Sequence, residues 1–279
     1  MDNRPIGIFD SGLGGLTAVK EMASLLPEER IVYFGDTGRV PYGTRSRETI
    51  EKYTAQDIAF LLKMDVKAIL AACGTASSVG LLCGAFRDGT GYPVKVMGVV
   101  ESAAAAAVRM SRNGVIGVLG TGATIRHGAY ERAIKAINPA VSVVNQACPL
   151  FVPLVENGYF QANNEMARLA AAEYLEGVKT AGADTVILGC THYPLMADVI
   201  SGELGDGVTL IDSGREAAKS LAVYLKEENL LADGRVAAGG TPVKHRYYVS
   251  DCVDGFGRYA KMFMGHGIDG SVERVEIGS

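Results

Sequence analysis

Two stretches decide how this chain folds: 68-AILAACGTAS-77 and 185-TVILGCTHYP-194. Each is a run of apolar residues typical of a buried β-strand, and the runs stop at Cys73 and Cys190. A threonine and a sequence that favours the start of a helix follow each cysteine. In parallel α/β sheets, ligands bind beyond the carboxyl ends of the strands. Both thiols are therefore expected at a binding edge.

The rest of the chain repeats at almost the same spacing as these two cysteines, which are 117 residues apart. Residues 6–12 are similar to residues 116–122 at an offset of 110, and residues 99–102 to residues 210–213 at an offset of 111. Self-similarity at a fixed offset indicates repeated structural units. We expect two similar halves that set their thiols face to face. Such an arrangement suits moving a proton off one face of a carbon atom and onto the other.

The composition of the 279-residue chain, with 48% hydrophobic and 21% charged residues, is that of a globular protein. A net charge of −4 and the lack of a Lys- or Arg-rich stripe give no support to nucleic-acid binding or to an anionic membrane surface. No apolar run reaches the roughly 18 residues of a membrane span, and the amino terminus has no signal-peptide core. We predict a cytoplasmic protein with no nucleic-acid partner and no membrane attachment.

The five cysteines form no Cys-x-x-Cys pair, so no metal site is predicted. Cys83, Cys148 and Cys252 are interpreted as small buried side chains, which is the commonest role of cysteine. Cys73 and Cys190 differ because each would lie near a helix amino terminus, where free N–H groups favour the thiolate. These two are the predicted reactive thiols.

Short apolar runs with strand character alternate with amphipathic or Ala-rich stretches along the chain. Such alternation predicts parallel sheets covered by helices on both faces. The predicted fold class is α/β, with two pseudo-symmetric parallel-sheet domains and the active site in the cleft between them. We place the first domain at residues 1–98 plus 208–279 and the second at residues 99–207. The predicted strands are 5–10, 30–36, 66–73, 94–100, 114–120, 141–146, 183–190, 208–212 and 245–250.

The turn after the first strand, 10-DSGLGG-15, is rich in glycine but lacks the G-x-G-x-x-G spacing of a dinucleotide site, because residue 17 is Thr. Small residues suit a tight strand-to-helix turn. Asp10 and Ser11 add a carboxylate and a hydroxyl, which could assist a base or bind an ammonium group. His192 lies too close to Cys190 for a closed zinc site and fits better as a proton partner of that thiol.

Two other segments leave a strand for a turn: 36–43, with Tyr42 and Gly43, and 153–158, with Glu156. Proline and glycine set the backbone in both. The residues alone leave open whether these segments are plain turns or binding loops.

Five motifs together resemble those of the glutamate racemases, within the aspartate/glutamate racemase family, in the family's order and over nearly the whole chain. The resemblance implies a two-domain α/β enzyme, usually a homodimer, that interconverts L- and D-glutamate without a cofactor and supplies D-glutamate for peptidoglycan. The motifs are 10-DSGLGG-15, Asp36 with 41-PYG-43, 73-CGTAS-77, 120-GTGATI-125 and 189-GCTHYPL-195.

The resemblance also implies a role for each site residue. Cys73 and Cys190 would be the two proton donors and acceptors, with Asp10 assisting Cys73, and with His192 and Glu156 assisting Cys190. The implied substrate-binding residues are Asp10, Ser11, Tyr42, Gly43, Gly74, Thr75, Thr121, Thr191 and His192.

Gly74 departs from the family pattern, which usually has Asn after the first cysteine. The Asn side chain is expected to hold the substituents of the substrate's α-carbon. Here the backbone N–H of Gly74 or a water molecule would have to replace it. Gly38 and His127 also stand where Ala and Ser are expected.

Two alternatives remain open from the sequence. An aspartate racemase or a related isomerase of the same superfamily would share the fold and both thiols. A non-catalytic amino-acid-binding module would also have two lobes around a cleft, but it has no need for a base on each face of its ligand. Exchange of the ligand's α-proton with solvent deuterium separates an isomerase from a binding module.

Overall fold

The structure is a computed structural model that describes residues 1–81, 91–233, 243–268 and 270–277. The strands in these ranges are β1 (Ile6–Asp10), β2 (Ile31–Gly35), β3 (Ala68–Ala71), β4 (Lys95–Met97), β5 (Val115–Gly120), β6 (Ser142–Ala147), β7 (Thr185–Leu188), β8 (Thr209–Asp212), β9 (Arg246–Val249) and β10 (Val272–Arg274). The α-helices are α1 (Leu16–Leu25), α2 (Arg47–Lys63), α3 (Val100–Met110), α4 (Gly122–His127), α5 (Ala129–Ile137), α6 (Phe151–Glu156), α7 (Glu165–Thr180), α8 (Ala197–Leu204), α9 (Ser213–Glu227) and α10 (Phe256–Met264).

The strands form two parallel sheets, one in the order β10-β9-β2-β1-β3-β4 and the other in the order β6-β5-β7-β8. We call the first sheet with its helices the first lobe, and the second sheet with its helices the second lobe. β1, β2, β3 and β7 are buried along their whole length, as expected of parallel strands covered on both faces. The predicted architecture of two parallel-sheet α/β units is confirmed.

One strand lies in a different sheet from the one expected. Residues from 208 onward were predicted to return to the first domain, but β8 pairs in register with β7, with Thr209 opposite Thr185 and Asp212 opposite Leu188. The hydrogen-bonded ladder makes β8 the edge strand of the second sheet. The chain therefore leaves the second sheet only after Asp212, at the start of α9.

Each of the nine predicted strands overlaps an observed one, and β10 was not predicted. β10 has three residues, two of them exposed, so it lacks the apolar run on which the other predictions depend. It pairs with β9 at the edge of the first sheet.

Several helices begin at residues whose side chains accept a backbone N–H. Ser46 caps α2, Asn164 caps α7 and Asp212 caps α9, each by accepting from the residue three positions later. Such caps typically stabilise a helix by about 1 kcal/mol. Among the described residues, no helix combines the length and the apolar character needed to cross a bilayer.

Helix α9 joins the two lobes, because it packs against α1 of the first lobe and against α3, which covers the second sheet. An ideal Cβ on Gly214 would lie 3.5 Å from Ala18 Cβ, so α9 and α1 approach closely through small residues. At the same contact Arg215 Nε donates to Glu21 Oε2 at 3.0 Å. The lobes are thus held side by side and meet at their strand ends, and we call this meeting region the cleft.

Candidate active site

The cleft is built from four strand ends, two from each lobe. Asp10 is the last residue of β1, and Cys73 lies two residues beyond β3, its neighbour in the first sheet. Thr121 directly follows β5, and Cys190 lies two residues beyond β7, its neighbour in the second sheet. The two thiols therefore occupy equivalent positions in the two lobes, as the repeat predicted.

Two glycines of the first lobe, Gly14 and Gly74, pack closely against the second lobe near the two cysteines. An ideal Cβ built on Gly14 would stand 2.3 Å from Thr191 Oγ1 and 2.6 Å from His192 Nδ1. One built on Gly74 would stand 2.0 Å from Gly189 O and 3.8 Å from Cys190 Cα. The glycine-rich turn and Gly74 thus allow a contact that any side chain would block.

Cys73 is buried in a pocket of the first lobe. Its thiol donates to Ser11 Oγ at 3.5 Å and accepts from Ala76 N at 3.4 Å. Burial and the nearby Asp10 carboxyl raise the pKa of the Cys73 thiol to about 12. The hydrogen bond from the Ala76 N–H lowers the pKa of Cys73, as expected near the start of a helix, but burial raises it by more. Cys73 is therefore held as a protonated thiol.

Cys190 has a different partner, the imidazole of His192. The distance from Cys190 Sγ to His192 Nδ1 is 3.9 Å, and that from His192 Nε2 to Glu156 Oε1 is 3.1 Å. Burial alone would lower the pKa of His192, but hydrogen bonds with Cys190 and Glu156 raise it to about 10. A protonated imidazole beside the sulfur stabilises negative charge on Cys190 Sγ. Phe263 packs edge-on against the imidazole ring.

Asp10, the last residue of β1, is 1% exposed. Its Oδ2 accepts from Gly12 N at 3.0 Å, while Oδ1 has no hydrogen-bond partner in the described part of the chain. Burial raises the pKa of the Asp10 carboxyl, and the positive charge of His192 opposes the increase. An unpartnered buried oxygen at this position can accept a hydrogen bond from a bound ligand.

Three threonine hydroxyls link the lobes at the other side of the cleft. Thr75 Oγ1 lies 2.9 Å from Thr121 Oγ1 and 3.3 Å from Thr124 Oγ1, and the last two are 3.0 Å apart. Gly43 packs on the same cluster, since its ideal Cβ would stand 2.8 Å from Thr121 Cβ. Thr75, Thr121 and Gly43 were expected here from the sequence. Thr124 was not predicted to belong to the site. Thr121 is the N-cap of α4 and its side chain accepts from Thr124 N, so the three-residue spacing could have indicated Thr124.

Tyr42 is the one predicted site residue whose side chain lies elsewhere. Its ring is 1% exposed and its hydroxyl contacts the buried carboxyls of Asp36 and Asp57. A contact between Tyr42 and a ligand in the cleft would therefore come from its backbone. No local sequence pattern indicates the direction of this ring.

The other cysteines differ in their surroundings. Cys148 is fully buried, as predicted, and burial raises the pKa of its thiol. Cys252 is exposed, so its interpretation as a buried side chain was wrong. Cys83 lies outside the described residues. Within those residues, no group of three or more His, Cys, Asp or Glu side chains could hold a metal ion.

A family model for Asp/Glu/hydantoin racemases matches residues 13–221, which is more than half of the chain. The chain belongs to this family of isomerases. It is 46% identical to a glutamate racemase of Geobacter metallireducens over 274 residues, which are 98% of this chain and 97% of that protein. Resemblance to the glutamate racemases, expected from the motifs, is thereby confirmed.

Solved structures give the same result. The crystal structure of glutamate racemase isoform RacE1 from Bacillus anthracis has a TM-score of 0.90 at 34% identity, covering 99% of each chain. The glutamate racemase of Francisella tularensis, solved in complex with D-glutamate, has a TM-score of 0.88 at 37% identity, again over 99% of each chain.

Proposed function

We propose that this chain is a cofactor-independent glutamate racemase in which Cys73 and Cys190 exchange the substrate's α-proton on opposite faces of the carbon. The observation that carries the proposal is the equivalent placement of the two thiols at the meeting of the lobes, each with its own polar partners. The relatives named glutamate racemase, and the D-glutamate bound in one of them, indicate the substrate.

The two thiols would start a turnover in different protonation states. His192, with its raised pKa, supports negative charge on Cys190 Sγ, whereas burial keeps Cys73 protonated. Cys190 would take the α-proton and become a thiol, and Cys73 would deliver its proton to the opposite face and become a thiolate. One proton leaves the carbon and one arrives, so the product is the opposite enantiomer. The reverse reaction would begin from the exchanged state.

The other cleft residues would hold the substrate and its developing charge. Asp10 Oδ1 fits the α-ammonium group, and the hydroxyls of Thr75 and Thr121 fit a carboxylate. Placed acid–base groups typically contribute roughly 10²–10⁴-fold to the rate. Hydrogen-bond donors aimed at the carbanion-like charge would supply much of the remainder. No step in this mechanism requires a cofactor.

We further infer the cellular setting from the family resemblance. D-glutamate formed by the enzyme would enter peptidoglycan synthesis, and the enzyme would act in the cytoplasm as a homodimer. Gel filtration with light scattering tests the homodimer directly, and a monomer that is fully active would contradict it.

The test of function is proton NMR of L-glutamate, D-glutamate and L-aspartate with the purified protein in D₂O, without added cofactor. We expect loss of the α-proton signal and formation of the opposite enantiomer with either form of glutamate. Exchange with aspartate alone would change the substrate assignment. Lack of exchange with all three compounds would refute the racemase and leave a binding function.

Serine variants test the two-thiol mechanism. Cys73→Ser and Cys190→Ser are expected to abolish racemisation, because a hydroxyl is a much weaker acid than a thiol. Cys148→Ser is the matched control, since Cys148 is also buried but lies outside the proposed proton path. Wild-type racemisation by either single-thiol variant would contradict the mechanism.

A further inference from the structure

A buried polar cluster lies behind the turn Tyr42–Thr44, away from the cleft. Asp57 belongs to the buried face of α2, where its neighbours Ile58 and Leu61 are apolar, so a carboxyl at this position breaks the amphipathic pattern. Asp36, which follows β2, is also fully buried. Burying a carboxyl costs free energy unless hydrogen bonds or charges compensate for it.

The hydroxyl of Tyr42 lies between these two carboxyls. It contacts Asp36 Oδ2 and stands 2.9 Å from Asp57 Oδ2. Arg39 donates from Nε to Asp36 Oδ2 at 2.6 Å and from Nη2 to Asp57 Oδ1 at 2.9 Å. Ser250 Oγ donates to Asp36 Oδ1 at 2.7 Å. Asp36 therefore lies within reach of three donor groups, whereas the one hydrogen-bond contact of Asp57 Oδ2 among the described residues is the phenol.

The hydrogen-bond count requires one more proton. A phenol has a single proton, so Tyr42 can donate to only one of the two carboxyls. If both were ionised, an oxygen of the other would face the phenol oxygen with no hydrogen between them. With a proton on Asp57 Oδ2, Asp57 donates to Tyr42 and Tyr42 donates to Asp36. One arginine then balances one carboxylate, and the cluster is neutral.

The electrostatic surroundings agree with this count. Burial raises the pKa of Asp57 well above its usual range, and the Asp36 charge raises it further, while Arg39 and the hydrogen bond with Tyr42 oppose the increase. Asp10 adds to the increase from the direction of β1. Burial and the two carboxyls also raise the pKa of Tyr42, which therefore remains a neutral donor.

We propose that Asp57 is held protonated and is a positioning residue for substrate binding, because its hydrogen bond to Tyr42 fixes the turn that carries Gly43. The proposal rests on the proposed racemase function. Gly43 follows Tyr42 directly and packs on Thr121 of the second lobe, so a displacement of the Tyr42 ring is transmitted to the hydroxyl cluster. The proton-transfer groups lie on other strand ends, so the substrate site changes while the thiols stay in place.

Two isosteric variants give opposite expectations. In Asp57→Asn, the amide can donate to Tyr42 and accept from Arg39, and so reproduces the protonated carboxyl. In Asp36→Asn, a single acceptor oxygen remains for three donors. We expect Asp57→Asn to keep the wild-type kcat and KM, and we expect Asp36→Asn and Asp57→Ala to raise KM for glutamate about tenfold with a smaller change in kcat.

An infrared measurement tests the proton itself, without reference to activity. The difference spectrum between wild type and Asp57→Asn is expected to contain the C=O band of a protonated carboxyl. Absence of that band, or a KM in Asp57→Asn raised as much as in Asp36→Asn, would overturn the inference. If the wild-type protein catalysed no α-proton exchange, the proposed function would fail, and the infrared band would still decide the state of Asp57. If Asp57→Ala did not fold, the asparagine pair would remain decisive.

Discussion

Replacement of Gly74 by alanine is expected to lower kcat/KM for glutamate strongly, because the contact between the lobes at this residue has no room for a methyl group. The ideal Cβ position lies 2.0 Å from Gly189 O, whereas real Cβ atoms keep about 3 Å from other heavy atoms. The two backbones would have to separate by about 1 Å, and a displacement of that size can reduce a reaction rate about 10²-fold. A loss of 10²-fold corresponds to about 2.7 kcal/mol of transition-state stabilisation.

The assay is racemisation of L-glutamate followed by circular dichroism, together with thermal unfolding of the same preparation. Because the obstructed contact lies between lobes, which can move apart, we expect Gly74→Ala to lose activity while its unfolding midpoint stays near that of the wild type. Gly177→Ala is the matched control, because Gly177 lies in α7 and, apart from its chain neighbours and its own helix backbone, no atom of the described residues lies within 4 Å of its ideal Cβ. Alanine there is expected to stabilise the helix by about 0.5–1 kcal/mol without changing activity. Wild-type kcat/KM in Gly74→Ala would refute the reasoning.

Two further predictions concern the charged pairs. His192 has a pKa raised to about 10, so its charge supports activity until the pH approaches about 10. The contribution of this charge to stability is complete below the ordinary imidazole pKa of 6.5 and is lost as the pH rises through about 10. Glu156→Gln removes one cause of the increase, so the loss of activity should move to lower pH. An unchanged pH profile would contradict this role of Glu156. Lys67 and Glu29 form a buried ion pair at 2.6 Å. Lys67→Met is expected to lower the free energy of unfolding by about 3–5 kcal/mol, since Glu29 is left buried without its partner. Denaturant unfolding measures the loss. The double variant Lys67→Met with Glu29→Gln should recover part of it, and a double variant as unstable as Lys67→Met would contradict the prediction.

The parts of the fold that could be predicted are those that depend on local sequence. The apolar runs that end at Asp10, Cys73 and Cys190 are long enough to be recognised as buried strands, and the repeat shows that the two cysteine runs are equivalent. Parallel strands bring their carboxyl ends to one edge, so the site residues on them follow from the strand predictions alone.

The parts that could not be predicted depend on contacts between distant segments. The side chain of Tyr42 is directed away from the cleft by Asp57, a residue of α2 that no local pattern connects with it. β8 was assigned to the wrong sheet because a strand of four residues, two of them polar, does not specify which strand it will pair with. The need for glycine at Gly14 also arises from the second lobe, through Thr191 and His192.

The two thiols have unequal surroundings, but the equilibrium between the enantiomers limits how this difference can appear in the kinetics. In the proposed mechanism, Cys190 lies beside His192 and Cys73 beside Asp10, so the two protonation states of the enzyme would differ in free energy and the one that accepts one enantiomer would be favoured. The free energies of L- and D-glutamate in solution are nevertheless equal, and an enzyme cannot alter that equilibrium. The ratio kcat/KM must therefore be the same in both directions. Any difference between the thiols can appear only as kcat and KM changing together, with the tighter-binding enantiomer converted more slowly.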